Sequence, residues 1–102
     1  MASIEGKDVK KIVIACDAGM GSSVMLASTV RKQLKNQGVE VVHTPVNTIP
    51  SDADVVLCHS GLAERARKSA GSIPVIPFSV FIGDPAVTKV VNAIKEGGTF
   101  DA

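Results

Sequence analysis

The sequence predicts an α/β domain: a four-stranded parallel sheet flanked by helices on both faces, in the manner of Rossmann-like and flavodoxin-like open sheets. Three observations carry that expectation. Short apolar runs alternate with segments of helical period from Lys11 to Gly97. Runs such as Ile12-Val13-Ile14 and Val55-Val56-Leu57 are continuously apolar, as strands covered on both faces require. The 102 residues are 45% hydrophobic yet contain only 3 Phe and no Trp or Tyr, so the core must be aliphatic, which suits the same architecture.

Residues 1–10 are polar, of mixed charge and contain Gly6; they read as a flexible leader, a linker or added residues, with no part in the fold. Lys11 to Ala15 is the first strand. Ser22 or Ser23 is expected to cap the first helix, whose Leu26, Ala27, Val30 and Leu34 share one face, and Gly38 to end it in a left-handed cap. Val39 to His43 forms the second strand, and residues 44–53, with Pro45 and Pro50, an irregular crossing too short for a full crossover helix. Residues 54–58 form a third strand of nearly unbroken apolar character, hence a central one. His59-Ser60-Gly61 turns into a helix over 62–70 that Gly71 stops. Residues 73–77 form the fourth strand, which Pro74 and Pro77 assign to a sheet edge because neither can donate a ladder hydrogen bond. Asp84 and Pro85 supply N-cap and first residue of the last helix, with Val87, Val90, Val91 and Ile94 on one face and Gly97 beyond its end. One domain therefore spans 11–97, and 98–102 form a tail.

Several function classes are excluded by bulk properties. A net charge of +1 and the lack of aromatic platforms give no nucleic-acid surface. No apolar run reaches membrane-spanning length, no signal peptide is recognisable, and 2 cysteines make no disulfide framework, so a reducing, cytoplasmic setting is the default.

The chemistry concentrates in Ala15-Cys16-Asp17-Ala18-Gly19-Met20-Gly21-Ser22-Ser23, "ACDAGMGSS", where a strand runs into a helix. Such a loop aims backbone N–H groups at one point, and the helix dipole adds about half a positive charge there. A cysteine so placed is favoured as thiolate, a nucleophile. Gly19 and Gly21 permit close backbone approach, and the hydroxyls of Ser22 and Ser23 are further donors for a tetrahedral oxyanion. Together these parts describe a thiolate that attacks phosphorus and a cradle that holds the transferred group. The plainer alternative is an inert buried cysteine in an ordinary strand-to-helix turn. Asp17 would oppose a phosphoryl group unless it braces the loop from outside, the role expected of it.

Other phosphate loops fit less well. No Lys follows Gly21 as a Walker loop requires, Val24 stands where a dinucleotide fingerprint needs a small residue, and Gly19 occupies the second cysteine position of a thioredoxin-type site. A low-molecular-weight cysteine phosphatase would carry Arg where Ser22 stands, and that guanidinium is what steadies the phosphoryl group in flight. Asp84-Pro85 resembles that family's general-acid loop, but a helix cap is the simpler reading. A third reading is a noncatalytic anion- or nucleotide-binding module.

The loop resembles the phosphorylation loop of the enzyme IIB component of the bacterial phosphoenolpyruvate-dependent sugar phosphotransferase system, specifically its mannitol group. The likeness extends through "VRKQLKNQG", "IPSDADVVLCH" and "LAERA", covering Lys11 to about Ile94. Val24, Leu26 and Ser28 depart from it, at positions often small in that group. The resemblance implies that Cys16 is the phosphorylated cysteine and Asp17, Ala18, Gly19, Met20, Gly21, Ser22 and Ser23 its phosphate-binding loop. It implies a phosphohistidine donor on enzyme IIA and a hexitol acceptor, mannitol, bound by membrane-embedded enzyme IIC. The domain would then be a cytoplasmic monomer working at the inner face of the membrane, without a cofactor and without inserting into the bilayer.

Among the remaining residues, His59 is a secondary candidate for contacting the phosphoryl group, against the plainer reading of a solvated loop histidine. Cys58 would form a regulatory disulfide with Cys16 only if both thiols reached one rim; a packed strand cysteine is expected instead. His43, Cys58 and His59 lack zinc-site spacing, so no metal is expected. Arg65, Arg67 and Lys68 read as a solvated face. Met20 is the better candidate for an apolar docking surface, Leu26 for core packing, and Met25 fits either.

Overall fold

A computed structural model describes residues 3–16, 21–79 and 84–101. Four parallel strands, β2 (Lys11–Cys16), β3 (Glu40–Pro45), β4 (Val55–His59) and β5 (Val75–Phe78), lie in the order β3-β2-β4-β5. Helices α1 (Gly21–Gln33) and α3 (Pro85–Glu96) cover one face and α2 (Ala63–Ala70) the other. The predicted doubly wound sheet is thus present, with its third strand central and its proline-bearing fourth strand at the edge.

Two apolar layers follow from strand alternation. Ile12 and Ile14 face one way with Leu57 and Ile76, meeting Leu26 and Val30 of α1, Leu34 just beyond it, and Val87, Val90, Val91 and Ile94 of α3. Val13 and Ala15 face the other way with Val56 and Cys58, meeting Ala63, Ala66 and Ala70 of α2 and Val46 and Ala53 from the crossing. Small alanines let α2 lie close to the sheet. Ile12, Val13, Ile14, Val55, Val56 and Leu57 have no exposed surface, which accounts for their unbroken apolar runs.

Several local expectations are met by the geometry. Asp84 caps α3, its carboxylate accepting from Ala86 N–H, with Pro85 at the first turn and Gly97 at φ 73° closing the helix. The crossing from β3 to β4 contains turns only. Leu26 is buried as expected, whereas Met25 is 60% exposed and Val24 55% exposed.

Three differences have physical reasons. Helix α1 begins at Gly21, so Ser22 and Ser23 lie inside its first turn rather than at its cap. It stops at Gln33, and a 3-10 turn over Lys35–Gln37 carries the chain to Gly38, whose φ of 71° makes the left-handed stop. The segments read as leader and tail are structured: β1 (Ser3–Glu5) pairs antiparallel with β6 (Thr99–Asp101). Between β1 and β2 a 3-10 turn packs on α3, where a Cβ at Gly6 would collide with the Ala93 carbonyl. Val9 and Phe100 are buried in the larger core layer, so both end segments belong to the domain.

Candidate functional site

The chain runs from β2 outward to β3, then returns across β2 to β4 and on to β5. The sheet's order therefore reverses between β2 and β4, and the carboxyl ends of these two strands form the switch point where open α/β sheets bind ligands. Cys16 is the last residue of β2 and His59 the last of β4.

Strand alternation settles which side chains share a face. Ala15 pairs with Cys58, and both belong to the layer beneath α2. Cys16, two residues after Ile14, points to the opposite face. The two thiols are free and separated by the sheet, which removes the Cys16–Cys58 disulfide from consideration. Burial pushes the Cys58 thiol up from its ordinary value, with the Arg67 charge offsetting part of the shift.

Cys16 is only 2% exposed, yet its sulfur is not lost in hydrocarbon. Sγ lies 2.7 Å from Nε2 of His43. His43 pairs in register with Ile14, so its side chain stands on the same face as Cys16 and reaches it diagonally from the neighbouring strand. His43 is itself exposed and forms the solvent side of the pair. The Cys16 carbonyl accepts from Val46 N–H at 2.8 Å, tying the end of β2 to the crossing that follows β3.

His59 lies one step beyond the Ala15–Cys58 pair, level with Cys16. Its Nδ1 accepts from Gly61 N–H at 3.2 Å, and its ring meets Phe78 edge-on with centroids 6.2 Å apart. Asp84, the alternative general acid, is 7% exposed, and its two carboxylate oxygens accept from Ser79 N–H at 2.7 Å and Ala86 N–H at 2.8 Å. It is a cap and a loop tie.

Asp17, Ala18, Gly19 and Met20 lie outside the described residues, while Gly21, Ser22 and Ser23 contribute backbone to the first turn of α1. Helix α1 therefore starts five residues after Cys16. Sequence reasoning missed His43. The signal available was its place in a strand next to the cysteine strand, on the face that register assigns.

A doubly wound sheet thus carries a thiol and an imidazole in contact at its switch point. Residues 11–93 match the family described as the lactose/cellobiose-specific IIB subunit of the phosphotransferase system. The chain belongs to this IIB family, in agreement with the resemblance of its cysteine loop. It is 40% identical over 90 residues to a protein of Geobacillus stearothermophilus named the mannitol-specific EIICB component, with 86% of this chain and 19% of that relative covered. It is 41% identical over 88 residues to the mannitol-specific cryptic EIICB component of Escherichia coli strain K12, again covering 84% and 19%. The chain thus spans about a fifth of the length of these relatives. A solved lactose-specific IIB domain from Streptococcus pneumoniae shares the fold, with a TM-score of 0.53 at 15% identity, covering 87% of this chain and 94% of that one.

Proposed function

We propose that this IIB domain is a phosphocysteine carrier in hexitol uptake. Cys16 accepts a phosphoryl group from a phosphohistidine of enzyme IIA and passes it to a hexitol, mannitol by the names of its relatives, held by a membrane-embedded IIC partner. The observation that carries the reading is the position of Cys16 at the switch point of an IIB fold, its sulfur in polar contact with His43 rather than within either apolar layer. Asp17 to Ser23 would cradle the phosphoryl oxygens, the first turn of α1 contributing amide donors. The step needs positioning and donors for the equatorial oxygens more than acid–base chemistry. Placement at the cytoplasmic side of the membrane follows from the partners so proposed. No helix among the described residues is long and apolar enough to cross a bilayer.

A test is incubation with phosphoenolpyruvate, the general phosphotransferase proteins and a mannitol-type IIA, read by intact mass. The expected result is one added phosphoryl group, labile to iodine and absent from Cys16→Ser. Absence of the adduct with a IIA that phosphorylates a known IIB would overturn the proposal. Steady turnover of an aryl phosphate without any partner would point to a phosphatase instead.

A further inference from the structure

The Cys16–His43 contact calls for a chemical role, since a polar side chain reaches across from another strand to a thiol that is nearly covered. Among the described residues, His43 is the one titratable side chain hydrogen-bonded to Sγ. His59, which shares this end of the sheet, is engaged elsewhere: its Nδ1 accepts from the Gly61 amide.

We infer that His43 is a catalytic residue of this site: its Nε2 holds the proton of Cys16, leaving Sγ as thiolate, and turns that proton to a phosphoryl oxygen once sulfur is phosphorylated. The inference rests on the reading of Cys16 as phosphoryl acceptor. A nucleophile and a base within hydrogen-bond reach are the usual device for activating a thiol, and here the base also carries a positive charge toward an incoming anion. The proton inventory closes. In the resting pair the thiol proton moves from Sγ to Nε2. On acceptance, the sulfur lone pair forms the S–P bond while the donor N–P bond breaks, its electron pair leaving on the donor imidazole nitrogen. His43 keeps its proton and donates it as a hydrogen bond to the bound group. On release, a lone pair of the acceptor hydroxyl oxygen forms the O–P bond as the S–P bond breaks, the S–P electrons return to Sγ, and the hydroxyl proton is lost to solvent. His43 ends as it began.

The geometry also explains why the imidazole belongs on β3 rather than in the loop. A strand side chain is fixed by register, so the pairing of β3 with β2 holds Nε2 aimed at sulfur.

The test uses the full chain carrying Cys58→Ala, so that Cys16 is the sole thiol. Two signals are read at neutral pH: the ultraviolet absorbance of a thiolate, lost on alkylation, and the rate of alkylation by iodoacetamide. His43→Leu and His43→Gln are compared, with far-ultraviolet circular dichroism to confirm folding. Glutamine keeps an N–H donor but cannot take up the proton. Both variants are expected to lose the absorbance and slow alkylation about tenfold. Thiolate absorbance and alkylation that stay at the parent level in His43→Gln would overturn the role, leaving His43 a hydrogen-bond donor only. These readouts need no phosphotransferase partner. Failure of Cys16 to accept phosphate in the mass assay would sink the carrier reading separately.

Discussion

At the scale of single residues, what a side chain touches decides its role more than what it is. Two histidines flank Cys16 on neighbouring strands, but one meets sulfur and the other caps a turn. Thr44, opposite Ala15 in register, presents the reverse case. Its Oγ1 is buried and finds no partner among the described residues. A hydroxyl removed from water without a hydrogen bond is destabilising, and valine has the same branched shape and suits a strand at least as well. Thr44→Val is therefore expected to raise stability by about 1 kcal/mol, seen as a higher urea midpoint with an unchanged slope. A loss of stability would mean that the hydroxyl has a partner in the folded protein. Much of the residue-scale site was legible. The place of Cys16 at the end of a strand that leads into a helix could be read from local order alone, and the structure puts it there. His43 was not legible in the same way, because it stands 27 residues away and meets sulfur only through the pairing of β3 with β2. The sequence marks the strands of the parallel sheet but not which of them are neighbours.

At the scale of elements, stop signals and apolar continuity did most of the specifying. Gly38 and Gly97 sit at positive φ where the helical patterns end, and Asp84-Pro85 opens α3 as expected. Pro77 accompanies the edge position of β5. The three-residue strands β1 and β6 escaped notice for a physical reason: strands so short have no measurable period, and their pairing joins opposite ends of the chain. Strand β4 carries its own testable consequence through Cys58, which has no exposed surface. Its thiol is held above the ordinary value of 9.0 by burial, with Arg67 opposing in part. Below that value the folded and unfolded chains both keep the proton, and the contribution to stability is constant. As pH rises past it, the unfolded chain loses the proton while the folded chain retains it, so stability falls. The urea midpoint should therefore drop between pH 7 and pH 10 by more in the parent protein than in Cys58→Ala, the difference isolating the thiol from the lysines that titrate in the same range. Equal drops would show that Cys58 ionises as readily inside the fold as outside it.

At the scale of the whole molecule, the fold separates fastening from chemistry. The cysteine and both histidines stand at the carboxyl ends of the strands. The ribbon of β1 and β6 lies at the other pole, since Gly6 N–H donates to the Gly98 carbonyl at 2.8 Å and the turn before β2 packs on the last turns of α3. Phe100 anchors this ribbon in the larger apolar layer, 5% exposed. Truncating a buried aromatic leaves a cavity, and Phe100→Ala is expected to cost about 3 kcal/mol in urea unfolding. Its effect on the Cys16 end should be different in kind. If Cys16 is reached by local opening near the loop, its alkylation rate depends on the free energy of that opening and not on global stability, and the variant should react at the parent rate under conditions where it remains folded. A rate that climbed in step with the lost stability would instead mean that the sulfur is reached only when the whole sheet comes apart, a property incompatible with a carrier that must receive and surrender its cargo while folded.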